Sequence, residues 1–198
     1  MRLLWVPLCA ALAASGCRGS RALSGLAGPQ IVPPLSKPDL RLMDTDGRPF
    51  DLRQQTEGYV TLLFFGYTHY PDVCPVHLAN IAAALKRIDD DAARRIKVVF
   101  ITVDPAPDTP PVIRTWLDSF DPRFIGLTGD SASIAWAFTQ LRLGHPSDPV
   151  RVDSGVYTVA HAALVLAFSR DDLAHVVYPF GIPRDAWERD LRLLARGS

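Results

Sequence analysis

The chain has 198 residues, 48% of them apolar, and its 21 basic and 21 acidic side chains cancel to a formal net charge of zero. That length fits one ordinary domain plus an extension, and the apolar share allows a packed core without disulfides. With no basic field to attract a polyanion, nucleic acid is set aside as a partner.

Residues 1–17, MRLLWVPLCAALAASGC, carry Arg2, an apolar run from Leu3 to Ala14 and then small residues. This is the layout of a secretory signal, too short and wrongly flanked for a membrane-spanning helix. Its end, Ala14-Ser15-Gly16-Cys17, resembles a bacterial lipoprotein cleavage box. That likeness implies lipid on Cys17 and an exported domain held at a membrane, in the periplasm or extracytoplasmic space. Ordinary signal cleavage, leaving a soluble exported protein, is the other reading. Cys9 leaves with the signal, so Cys74 is the one free thiol of the mature domain when Cys17 is lipidated. Dithiol oxidoreductase chemistry then has no second sulfur.

Residues 18–38 are rich in Gly, Ser and Pro and read as a flexible tether with a reach of roughly 25 Å. The domain is expected over 39–198. LRLMDTDGRPFDL reads as a hairpin about Asp46-Gly47. YVTLLFFGY and IKVVFITVD are continuous apolar runs of strand length, the pattern of strands covered on both faces. Leu78, Ile81, Ala82, Leu85 and Ile88 keep helical spacing after the first run. Val112, Ile113, Trp116, Leu117 and Phe120 do so after the second, behind Thr109-Pro110. RFIGLTG predicts a strand, and Ile134, Ala137, Phe138 and Leu141 a helix. Two further strands, GVYTVAHAALVLAFS and LAHVVYPF, flank the turn Ser169–Asp172, and Trp187, Leu191 and Leu194 mark a last helix. Alternating strands and helices imply an α/β fold with a mostly parallel central sheet and flanking helices.

In such sheets reactive groups gather at the carboxyl ends of strands. Gly66 to Cys74 is a strand end, a loop and a helix start, with Pro75 suited to the first helical turn. A cysteine there is expected to have a lowered pKa, because the helix end favours thiolate. Asp104 and Asp108 end the next strand beside the same crevice. Asp104 is read as adjusting the polarity around Cys74, and Asp108 or Thr109 as capping the following helix. His77, three residues after Cys74, is read chiefly as a solvated first-turn residue and as a weak candidate ligand.

The segments FFGYTHYPDVCP, VVFITVDPAPDTP, FIGLTG and YTVAHAA, in that order, resemble the signature segments of the SCO/SenC family. The likeness runs from about Asp39 to Leu194. It implies a thioredoxin-like fold, copper as the bound metal and a membrane-anchored role in assembling the copper-bearing subunit of cytochrome c oxidase. The family's Cys-x-x-x-Cys and distant histidine, which bind copper, fall on Tyr70, Cys74 and His161, so the first thiolate is replaced by a phenol. An aspartate that often precedes the distant histidine is Ala160 here. Cuprous copper favours thiolates, so the site is expected to be incomplete. Cys74 and His161 remain as ligands, with Tyr70 or His77 as a weak third. Two other readings stand beside this one. A non-metal interaction module would keep the fold and not the site. A one-cysteine thiol peroxidase would use Cys74, although Pro71 stands where peroxiredoxins place a threonine.

Overall fold

The computed structural model describes residues 25–69, 73–144, 150–151, 157–158 and 163–197. Its centre is the strand β4 (Val60–Gly66), buried at every position. Seven residues rich in Thr, Leu and Phe cannot be half-solvated, so this strand needs a neighbour on each side and a layer on each face. On one side β5 (Ile96–Thr102) pairs with it in parallel, Val60 opposite Ile96 through Gly66 opposite Thr102. On the other, β9 (Leu164–Phe168) pairs antiparallel, with Phe64 opposite Val165.

Around that core lie β1 (Gln30–Ser36), the hairpin β2 (Arg41–Asp44) and β3 (Pro49–Asp51), β6 (Ile125–Thr128) and β10 (Leu173–Pro179). The eight-stranded order is β1-β10-β9-β4-β5-β6-β2-β3. Parallel pairing is confined to β4–β5–β6. Every other neighbour pair is antiparallel, so the sheet is mixed rather than mostly parallel. The expected hairpin is present, its turn closed by Asp44 Oδ1, which accepts from the Asp46 and Arg48 amides. A separate two-residue ladder joins β7 (Val150–Arg151) and β8 (Tyr157–Thr158).

The tether expected over 18–38 is corrected in its second half. Gln30–Ser36 is a strand paired with β10, Leu35 and Lys37 are buried, and the Ala27 amide donates to Asp190 Oδ2 at 2.6 Å. The folded domain therefore begins well before residue 39. Pro33 and Pro34 disguise the strand in the sequence, because proline usually reads as linker. On an outer strand a missing N–H faces solvent and costs nothing.

Among the described residues six helices cover the sheet: α1 (Leu52–Gln55), α2 (Val73–Leu85), α3 (Asp90–Arg94), α4 (Pro110–Asp118), α5 (Ser131–Gln140) and α6 (Arg184–Arg196). On one face Leu78 and Ile81 of α2, Ile113 and Leu117 of α4, and Trp187 and Leu191 of α6 pack against Val60, Leu62 and Phe64. On the other, Ile134, Ala137 and Phe138 of α5 with Leu52 of α1 meet Leu63, Phe65, Val99 and Ile101. The alternation along β4 thus divides its side chains between two cores, and α2 is held with its first turn at the carboxyl end of that strand. Among the described residues no helix is long and apolar enough to cross a membrane.

Candidate functional site

The site is built where β4 ends. Glycine at position 66 is required by close approach: a Cβ there would lie 2.8 Å from Cys74 Sγ and 3.0 Å from Phe100 Cε2. The missing side chain lets the sulfur settle against the strand backbone. Cys74 belongs to the first turn of α2, which begins at Val73, and is fully buried.

The expected lowering of the Cys74 pKa is overturned. Burial pushes the thiol up from its ordinary 9.0 to about 12, Asp108 adds to the rise, and a backbone hydrogen bond from Tyr67 only partly opposes it. A helix end contributes at most about 1–2 kcal/mol toward an anion. Taking a thiolate wholly out of water costs more, so Cys74 is a neutral thiol.

Asp108 is the organiser of the loop after β4. It is fully buried, and its two oxygens accept from the Thr68 amide at 3.0 Å, the Thr68 hydroxyl at 2.5 Å and the Thr102 hydroxyl at 2.6 Å. His69 Nδ1 sits 3.1 Å from Thr68 Oγ1 and 3.5 Å from Asp108 Oδ1. The Val103 amide donates to the Gly66 carbonyl at 2.8 Å, tying the same loop to the end of β5. Of the two residues expected to cap the following helix, Thr109 takes the N-cap position of α4, without a side-chain bond, and Asp108 does not and turns back to the loop. Asp104 lies buried beside it, its amide donating to Thr102 Oγ1. The Asp108 carboxylate raises the pKa of the Cys74 thiol. Sequence offered one signal for this network, an acid a few residues past a buried strand; which loop it binds is decided by tertiary contact.

His77 differs from expectation in the other direction. It is 2% exposed, not solvated. Its ring lies between Phe64, at 5.4 Å, and Phe180, at 5.5 Å between centroids. Among the described residues Nε2 has no hydrogen-bond partner. Burial pulls its pKa down, with the backbone of Ala163 acting the other way. An unpaired buried nitrogen is worth about 1–3 kcal/mol of lost stability.

Ala163 also shows what approaches the site. β9 enters the sheet at Leu164, opposite Pro179, and Val165 pairs with Phe64, so β9 begins at the carboxyl end of β4. His161 is two residues upstream. His161, Tyr70, Ala160, His145 and Cys17 lie outside the described residues. Within those described, no three His, Cys, Asp or Glu side chains form a cluster able to hold a metal ion. His175 is remote from the site and pairs with Asp171 at 3.0 Å.

A mixed sheet with helices on both faces, and a buried cysteine in the first turn of the helix that follows the central strand, defines a thioredoxin-like protein. The chain belongs to the SCO1/SenC family, whose model matches residues 31–195. The copper-bound ScoI structure of Bradyrhizobium japonicum is 35% identical, with a TM-score of 0.70 over 81% of this chain and 99% of that one. Apo Sco1 of Thermus thermophilus is 30% identical, with a TM-score of 0.67 over 85% of this chain and 92% of that one. The mitochondrial SCO2 homologue of Bos taurus is 32% identical over 136 residues, 68% of this chain and 50% of that protein. The chain spans about half the length of several such curated relatives.

Proposed function

We propose that this chain is a copper-binding assembly factor of the SCO/SenC type whose donor set is altered at Tyr70. The observation that carries this is the position of Cys74: a soft sulfur sealed against Gly66, at the strand end where β9 begins, three residues after His161 in sequence. The donors suit cuprous copper, which prefers thiolate and imidazole in a dry pocket. Cys74 and His161 would hold the ion, and Asp108 fixes the loop that leads to Tyr70. Copper is cargo in this reading, and the thiol proton leaves when the metal arrives. The family likeness supports delivery to the copper-bearing subunit of cytochrome c oxidase. Lipid on Cys17 would hold the domain outside the cytoplasmic membrane. A fully buried neutral thiol fits poorly with the peroxidase alternative, which needs an accessible thiolate.

The test is copper content after anaerobic loading of the full-length chain in detergent. One copper per chain is expected, lost in Cys74→Ala and in His161→Ala, with a gain in affinity of at least about tenfold in Tyr70→Cys, since a second thiolate suits the soft ion. No stoichiometric copper in the wild type, and none gained in Tyr70→Cys, overturns the reading in favour of an interaction module.

A further inference from the structure

We infer that His77 takes over the ligand role left by the missing thiol, so that Cys74-x-x-His77 forms a metal-binding pair on one face of α2. The inference rests on the copper reading above and deepens it. Residues three apart on a helix are surface neighbours, and α2 turns both Cys74 and His77 inward. Phe64 shares a buried cluster with Cys74 and packs on the His77 ring. A Cβ on Gly66 would touch Cys74 Sγ at 2.8 Å and Phe64 Cε1 at 3.2 Å, and the His77 ring packs on Phe64 at 5.4 Å between centroids.

The independent observation is Nε2 of His77, buried and without a partner among the described residues. Packing alone does not account for it. A hydrogen bond between the ring and the Ala163 backbone explains one nitrogen of the imidazole between Phe64 and Phe180, and leaves Nε2 unexplained. A nitrogen reserved for an ion does account for it. Ala163, whose backbone bonds the ring, comes two residues after His161 in sequence. The donor set then becomes one sulfur and two imidazoles in place of two sulfurs and one. Coordination releases the thiol proton to solvent and leaves the copper cuprous, with no change of oxidation state. Two imidazoles beside one thiolate also make the site more accepting of cupric ion than a two-thiolate site is.

The test uses the full-length chain, loaded with Cu(I) anaerobically and competed against a chromogenic Cu(I) chelator. His77→Phe keeps a ring between Phe64 and Phe180 and removes both nitrogens. Expected is an affinity loss of at least about tenfold with a metal-free melting temperature close to that of the wild type, because loss of the Ala163 bond and removal of the unpaired nitrogen oppose each other. The double variant Tyr70→Cys/His77→Phe should regain the lost affinity through the restored sulfur. Copper X-ray absorption of the wild-type protein, which needs no variant to fold, should count one sulfur and two nitrogens. Wild-type affinity in His77→Phe, or one sulfur with a single nitrogen, overturns the role of His77 while Cys74→Ala still abolishes loading and leaves the copper reading intact. A wild-type chain that takes up no copper removes both.

Discussion

Two buried polar clusters sit at opposite ends of β4, and they are finished differently. At the amino end Lys37 is fully buried, and its ammonium donates to Asp172 Oδ1 at 2.6 Å, Thr56 Oγ1 at 2.9 Å and the Thr56 carbonyl at 3.4 Å. The Thr56 hydroxyl passes its own proton to the Leu52 carbonyl, and Arg53 closes on the Lys37 carbonyl at 2.6 Å. At the carboxyl end Asp108 is equally well served, but His77 beside Cys74 keeps a nitrogen that no described residue satisfies. The first cluster joins β1, α1 and the β9–β10 turn, and its ammonium, the Thr56 hydroxyl and the Arg53 guanidinium each have a partner. The second carries the site, and its open position is where polarity has been left available for a ligand.

The largest effect should come from breaking the complete cluster. Asp172→Asn removes the counter-charge of a buried ammonium while keeping a residue that tolerates the positive φ of 61° found there. Such a break costs about 3–5 kcal/mol, seen as a lower denaturation midpoint. Lys37→Met, which deletes the charge and keeps the bulk, should cost far less. Next comes Asp108→Ala, which strands the Thr68 and Thr102 donors for a loss of about 3 kcal/mol and frees the loop before Tyr70. Chemical denaturation measures the first effect, and amide hydrogen exchange at Thr68 the second.

A smaller effect follows from Gly66→Ala. Its methyl group would crowd the Cys74 sulfur, an overpacking loss of about 1–3 kcal/mol, and copper uptake should weaken in parallel. Smallest, per pH unit, is the alkaline response, in which the two ends oppose each other. The unfolded thiol ionises near 9.0, whereas folded Cys74 holds its proton to about 12. Between those values the folded state binds more protons, so stability falls as pH rises, by up to about 1.4 kcal/mol per unit. Below 9.0 this contribution is constant and fully present. Burial holds Lys37 beneath its ordinary 10.5. There the unfolded state binds more protons, and stability rises with pH on approach to 10.5. Denaturation midpoints from pH 8 to 11 should therefore rise more in Cys74→Ala than in the wild type, and rise less in Lys37→Met.

Much of this architecture could be read before any coordinates. β4, β5 and the inward face of α2 announce themselves because a strand or helix buried on a whole face must be continuously or periodically apolar. The hairpin is legible because Asp46-Gly47 supplies a glycine at positive φ, observed at 75°. β1 was not legible: its prolines are compatible with a strand only at an edge, and edge position depends on the whole sheet. The position of Cys74 followed from local order, but its protonation did not, because burial by Gly66, Phe64 and Phe100 outweighs the helix end. Nor could one sequence tell that Asp108 reaches back to Thr68, or that His77 turns inward between Phe64 and Phe180. Those outcomes are set by residues far apart along the chain.

The sheet ends in β1 on one side and β3 on the other, and both outer strands contain proline, Pro33 and Pro34 in the first and Pro49 in the second. A proline offers no N–H, and β1 has a register shift between Gln30 and Leu35 as well. Neither rim is an open template for another copy to zip onto. An eight-stranded sheet with such a dense apolar interior is thereby kept from growing into fibres through the same residues that make its first strand look like a linker.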